Sequence, residues 1–203
     1  MSNRRKRLLP YASPFVMLIR KAISLGASEA LLISTDILSI QDEIIEMCRA
    51  PKCEGFGQCA NCPPHVMGPA EARKWIKNFS EALLVKQDLP PSDLFGPNEM
   101  ERFQRMFTLV TSLEKIARNR GFEQATGLGA GSCKPVFCPE DVCSVLQGKA
   151  CRLPHLARPS LEALGINVFE LAKSVGWPMN KILRETDPRT VSSAALIGMV
   201  LLC

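Results

Sequence analysis

The stretch Phe15-Val-Met-Leu-Ile-Arg-Lys-Ala-Ile-Ser-Leu-Gly26 runs straight into Ala27-Ser-Glu-Ala-Leu-Leu-Ile-Ser-Thr-Asp-Ile-Leu38. In its first half apolar residues return at Phe15, Leu18, Ile19, Ala22 and Leu25, close to a helical period, and Gly26 stands where a helix would end. The second half, rich in Leu, Ile, Ser and Thr, reads as a strand. A helix feeding a strand across one glycine decides the fold, because the unit recurs. Gln41 to Cys48 reads as a short helix or turn carrying the first cysteine. Pro69 then opens a helix over Ala70 to Phe79, in a first turn that has no use for the missing N–H, and Ala82 to Lys86 follows as a strand. After a loop from Pro90 to Pro97, Met100, Phe103, Phe107, Val110, Leu113 and Ile116 share one face of the longest helix, which runs from Asn98 to Gly121. Phe122 to Thr126 reads as a third strand. Ser160 to Leu164 and Asn167 to Val175 read as helical, with Gly176-Trp177-Pro178 as a stop, and Val191 to Leu202 reads as the last strand.

Helix then strand, about four times over, predicts an α/β fold. The expectation is a single layered domain over residues 1–203, with a sheet of about four strands, helices against it and two cysteine-rich metal-binding loops at its rim. Residues 1–12 are expected to form a flexible tail, and Arg4-Arg5-Lys6-Arg7 a solvated basic end.

The chain of 203 residues is 46% hydrophobic and 22% charged, enough apolar material for one core and too ordered a composition for a disordered or collagen-like chain. The formal charge of +5 counts the cysteines as neutral. Metal-bound cysteines are thiolates, and a four-thiolate [4Fe–4S] centre carries about −2, so two such centres would bring the protein close to neutrality. No nucleic-acid partner is therefore expected. The apolar residues after the basic run are interrupted by Pro10, Pro14 and Arg20-Lys21, and residues 194–202 are too few to span a bilayer. Neither a signal peptide nor a membrane span is expected, and the expected location is cytoplasmic. In that setting nine cysteines point to metal or redox chemistry rather than to disulfides.

Eight of the nine fall into two groups. Cys133, Cys138, Cys143 and Cys151 lie in one loop, close enough in sequence for all four sulfurs to converge on one metal or one cluster at small entropic cost. Their spacing, three in sequence and a later fourth, follows the ferredoxin manner more closely than zinc knuckles. Gly127-Leu-Gly129-Ala-Gly131 precedes them, and Gly129 and Gly131 are expected to let backbone N–H groups approach a cluster. A dinucleotide loop is the rival reading, but it requires a helix directly afterwards. The first group is Cys48, Cys53, Cys59 and Cys62, followed by Pro63-Pro64-His65. These four could ligate a second cluster, or three of them could, leaving one iron open. The alternative for this group is buried thiols acting as small apolar residues. His65 and His155 are candidate zinc or Rieske-type ligands that eight thiols make unnecessary, and Cys203 is expected to be a packed thiol. Arg152, His155 and Arg158 could form a cationic edge beside the second group. No nucleophile–base motif is present, so any catalysis would belong to the metal.

The segments Cys48-Arg-Ala-Pro-Lys-Cys53, Phe56-Gly57, Cys62-Pro63-Pro64-His65, Gly129-Ala-Gly-Ser-Cys133, Cys151-Arg152-Leu-Pro154 and Arg158-Pro159-Ser160-Leu-Glu162-Ala163 resemble those of domain-of-unknown-function family 2284, from about residue 15 to the C-terminus. The resemblance implies bound metal, an iron–sulfur cluster, and a prokaryotic, anaerobic setting, and it assigns no reaction. Carried over by position, it implies ligation by Cys48, Cys53 and Cys62 and by Cys133, Cys138, Cys143 and Cys151, with Cys59 departing from the pattern. Arg158 and Ser160 could donate hydrogen bonds to a cluster or substrate, with capping of the helix near Ser160 as the alternative for the serine.

The reading that follows is an iron–sulfur protein with one or two [4Fe–4S] clusters, passing single electrons to or from a redox partner protein. An enzyme that binds substrate or cofactor at an exposed cluster iron is the alternative, and a structural zinc protein is the third. Whether the chain is catalytic, and whether it forms a homo-oligomer, stay open at this level.

Overall fold

A computed structural model describes residues 13–177 and 179–203; the expected tail at 1–12 and Pro178 lie outside the described residues. Along the chain the helices are α1 (Pro14–Ser24), α2 (Asp42–Arg49), α3 (Pro69–Ile76), α4 (Glu99–Arg118), α5 (Cys133–Phe137) and α6 (Val168–Ser174). The strands are β1 (Glu29–Ser34), β2 (Glu81–Leu89), β3 (Thr126–Leu128) and β4 (Ala194–Leu202). All four pair antiparallel in one sheet of order β1-β2-β4-β3, giving a single α/β domain.

The pairing follows from burial on both faces. In β2, Ala82 and Leu84 point to one side with Met199 and Leu201 of β4, under α3, α6 and the turn around Leu164. Leu83 and Val85 point to the other with Val200, under α1 and α4. Helices covering both sides explain why the central strands are apolar at nearly every position instead of alternating with polar residues. The edge strand β1 alternates in burial, and β3, at the opposite edge, is only three residues long.

Several expected boundaries shift, and the last strand begins at Ala194 rather than Val191. The first strand stops at Ser34, whose hydroxyl accepts the Asp36 N–H at 3.2 Å and turns the chain into a 3-10 segment. The third strand begins at Thr126 rather than Phe122, because the Phe122 ring packs on Phe15, with centroids 5.4 Å apart, and closes the turn after α4. The helix expected from Ser160 is a single 3-10 turn, Glu162–Leu164, ended by Gly165 at φ +88°.

The Gly-x-Gly-x-Gly stretch leading from β3 lies along α4. A Cβ on Gly127 would stand 3.0 Å from Glu114 Oε2, one on Gly129 would stand 2.6 Å from the Phe107 ring, and one on Gly131 would stand 2.7 Å from the Phe103 ring. From Gly129 to Gly131 two residues of extended chain advance about 6.7 Å, close to the roughly 6 Å of the four helical residues between Phe107 and Phe103, so these two glycines meet successive turns of α4. These glycines set how closely the helix approaches the strand that delivers Cys133.

Candidate metal centre

Cys48 sits near the C-terminal end of α2, and the chain then folds through a series of turns, each closed at a cysteine. The Cys53 N–H donates to Cys48 O at 2.9 Å, Phe56 N–H to Cys53 O at 3.0 Å, Cys62 N–H to Cys59 O at 3.2 Å and His65 N–H to Cys62 O at 2.9 Å. The Gly57 N–H donates to Pro63 O at 2.8 Å and holds the ends of the 58–62 segment together. On the other side Ser132 caps α5, accepting the Lys134 N–H at 3.2 Å. Lys134 reaches over to the Cys138 and Pro139 carbonyls at 2.7 and 2.8 Å, and an ion pair between Arg152 and Asp141 ties the later half of the loop to its middle.

The two loops pack against each other, and the contact redistributes the cysteines. Cys48, Cys53 and Cys62 line a cavity of about 330 Å³ together with Ser132, Ser160 and Glu162. Cys59 lines a second cavity, of about 120 Å³, with Cys133, Cys138, Cys143 and Cys151. The first sequence group is thus divided between two sites, three thiols in one and the fourth facing the whole of the second group. Where the sites adjoin, Cys133 Sγ lies 3.8 Å from Cys59 Sγ, Cys62 Sγ donates to Ser132 Oγ at 3.3 Å, and Asn61 donates its side-chain N–H to Cys133 Sγ at 3.4 Å. A Cβ on Gly55 would come 3.0 Å from Ser132 and 3.1 Å from Cys62 Sγ, so this glycine permits the two loops to meet.

The thiol chemistry follows this geometry. Cys59, buried with Cys133 and Cys62, is held well below the ordinary thiol range by their side-chain contacts with it, while Cys62 and Cys133 are raised, first by the contact with Cys59 and then by burial. The three thiols are therefore coupled, so that the charge on one depends on the other two. Cys48 is pushed up to about 11 by burial, then by the nearby Cys53 and Glu162. Among the described residues no three His, Cys, Asp or Glu side chains converge as the shell of a single ion. The donor set is sulfur-rich, the type that suits zinc or iron–sulfur clusters.

The remaining expected site residues fall in different places. Gly131 lines the larger cavity, whereas Gly129 takes up the Phe107 ring. Arg158 faces neither cavity. Its Nε and Nη2 donate to Glu114 of α4 at 2.8 and 2.9 Å, and its Nη1 donates to the Pro154 and Ala157 carbonyls. It therefore fastens the segment after Cys151 to the core. His65 and His155 are exposed and line neither cavity, and Cys203, expected to be packed, is exposed. Ser160 accepts the Ala163 N–H at 3.2 Å, the capping role expected of it, at the head of a turn rather than of a helix. Sequence reasoning missed Asn61, Ser132, Glu114 and Glu162. Ser132 carried a signal as a cap residue directly before Cys133, and Glu162 stood inside the Arg-Pro-Ser segment with no role given to it.

A family model described as predicted metal-binding protein (DUF2284) matches residues 31–202. Comparison with curated proteins and with solved structures gave no match. No helix among the described residues is long and apolar enough to cross a membrane.

Proposed function

The chain belongs to the DUF2284 family of predicted metal-binding proteins, and from that premise we propose that it is an iron–sulfur protein with two adjoining centres that moves single electrons. Cys133, Cys138, Cys143 and Cys151 would hold one centre with a full set of four thiolates. Cys48, Cys53 and Cys62 would hold the other, leaving one iron without a protein thiolate. The observation that supports this reading is the division of the eight cysteines between two cavities, with Ser132 in contact with Cys62 of one and Cys59 of the other. Sulfurs spread around a void suit a multinuclear centre, which spans the space between its ligands.

When bound, such clusters supply one-electron chemistry. The protein's own groups do the rest. Asn61, through its N–H to Cys133 Sγ, withdraws charge from that sulfur, and Ser132 stands between the thiols of the two sites. A redox partner protein would exchange electrons at the five-cysteine side. The larger cavity favours a second reading, in which a molecule bound beside the three-thiolate centre is reduced or oxidised, since its volume falls in the range of small-molecule sites.

Anaerobic purification followed by iron, sulfide and zinc analysis tests the proposal. The expected result is a brown protein with about eight iron and eight sulfide per chain, the content of two [4Fe–4S] centres. Colourless protein with stoichiometric zinc and no sulfide would overturn it in favour of a structural zinc protein.

A further inference from the structure

The walls of the larger cavity are specific in charge. Phe56, Phe103 and Phe169 present aromatic rings, Val168, Leu196 and Ile197 add aliphatic surface, and Glu162 supplies a carboxyl. No Lys, Arg or His is among the described residues that line it. Glu162 is half-buried and lines the cavity; its carboxyl is hydrogen-bonded by Ser160 and by its own backbone N–H, and no cationic side chain acts on it. A buried carboxylate without a counter-charge is costly, and an anionic ligand would add to the cost. A neutral ligand would leave it unchanged. A cation would offset it, and aromatic faces attract the same charge.

We infer that the larger cavity is a binding site for a small apolar organic cation, an alkyl- or arylammonium, whose ammonium group is received by the Glu162 carboxylate while its hydrocarbon body lies against the rings of Phe56, Phe103 and Phe169. The inference deepens the two-centre reading, on which it rests for one part of its electrostatics: three metal-bound thiolates at Cys48, Cys53 and Cys62 would make the same cavity more negative. The carboxylate and the rings do not depend on metal.

Isothermal titration calorimetry of the anaerobically purified full-length chain at neutral pH, with benzylamine, benzyl alcohol and benzoate, tests this, because the three probes share a ring and differ in charge. Benzylammonium is expected to bind at least about tenfold more tightly than benzyl alcohol, with benzoate the weakest, and Glu162→Gln is expected to abolish the difference. Should Glu162→Gln fail to fold, Met179→Lys, at a partly exposed position that borders the cavity and holds none of its aromatic rings, places a competing cation there and is expected to weaken benzylammonium about tenfold and spare benzyl alcohol. Benzoate binding as tightly as benzylammonium, no binding by any probe, or a preference for the amine that survives both variants would overturn the inference. Iron and sulfide measured on the same samples separate it from the reading it rests on. Amine preference in iron-free protein would leave the cavity assignment standing without the centre, and iron-loaded protein without preference would do the reverse.

Discussion

Glu114→Ala is expected to lower the stability of the fold by about 3–5 kcal/mol, the range for breaking a buried ion pair from one side. Glu114 is 3% exposed on α4, and its carboxylate gathers three partners: Arg158 at 2.8 and 2.9 Å, Arg118 at 3.0 Å and the Gly127 N–H at 2.7 Å. Alanine leaves the largely buried Arg158 guanidinium without its counter-charge, and the Gly127 N–H without an acceptor, which adds to the loss. The effect has a definite pH dependence. Burial pushes the Glu114 carboxyl up, but Arg158, the Gly127 N–H and Arg118 together hold it below its ordinary value. A folded-state value below the unfolded one means that the carboxylate stabilises the fold fully above the unfolded value, and that this contribution disappears as pH falls through the folded value. Urea denaturation of the two proteins is therefore expected to show the full difference at pH 7 and a smaller one in acid. A difference that stayed constant or grew on acidification would contradict the assignment of Glu114 as a charged anchor. Because Arg158 fastens the segment following Cys151, the variant is also expected to hold metal less firmly at the five-cysteine site.

Phe107→Ala is expected to cost a similar amount, about 3–5 kcal/mol, for a different reason. Phe107 is fully buried, its ring lies 5.4 Å from that of Phe137, and it forms a small core with Cys59, Cys62 and Cys133 directly beneath the adjoining sites. Truncation opens a void on the side where Gly129 approaches the ring. Gly129→Ala alone is expected to destabilise by about 1–3 kcal/mol, since its Cβ would meet the ring at 2.6 Å. In the Phe107→Ala background the same methyl enters the void, so the second substitution is expected to cost less than it does alone, or to restore stability. Four urea denaturation curves measure this coupling. Strict additivity would show that the glycine and the ring do not share the space.

Much of the scaffold is legible in the sequence. The apolar runs that become β2 and β4, and the helical period from Met100 to Ile116 that becomes α4, are local signals strong enough to fix the type of element. The strand order is less so, because β2 pairs with β4 across more than a hundred residues, and only the burial of alternate side chains on two covered faces selects that partner. The glycines at 127, 129 and 131 were conspicuous, but they answer first to Glu114, Phe107 and Phe103, which sequence does not place beside them. Likewise Arg158 looked like a free cation near the second cysteine group, and its partner Glu114, forty-four residues earlier, looked like one more charged helix residue.

The cysteines show the same limit. Proximity in sequence suggested two groups of four, and the second group does line one cavity. Cys59 and Cys62, three residues apart, nevertheless face different cavities, because the 58–62 segment is pinned at its ends by Gly57 and Pro63 and is packed through Gly55 and Cys62 onto Ser132. At the level of sequence the first group was open to either four ligands or three, and nothing in the spacing singles out Cys59.

Iron and sulfide content of anaerobically purified Cys59→Ser and Cys62→Ser, compared with the unaltered protein, tests that division most directly. Cys62→Ser is expected to lose about half of the iron and sulfide, the share of one of two [4Fe–4S] centres, while Cys59→Ser retains both in full. Equal loss from the two variants would return Cys59 and Cys62 to a single four-cysteine site and contradict the three-thiolate centre.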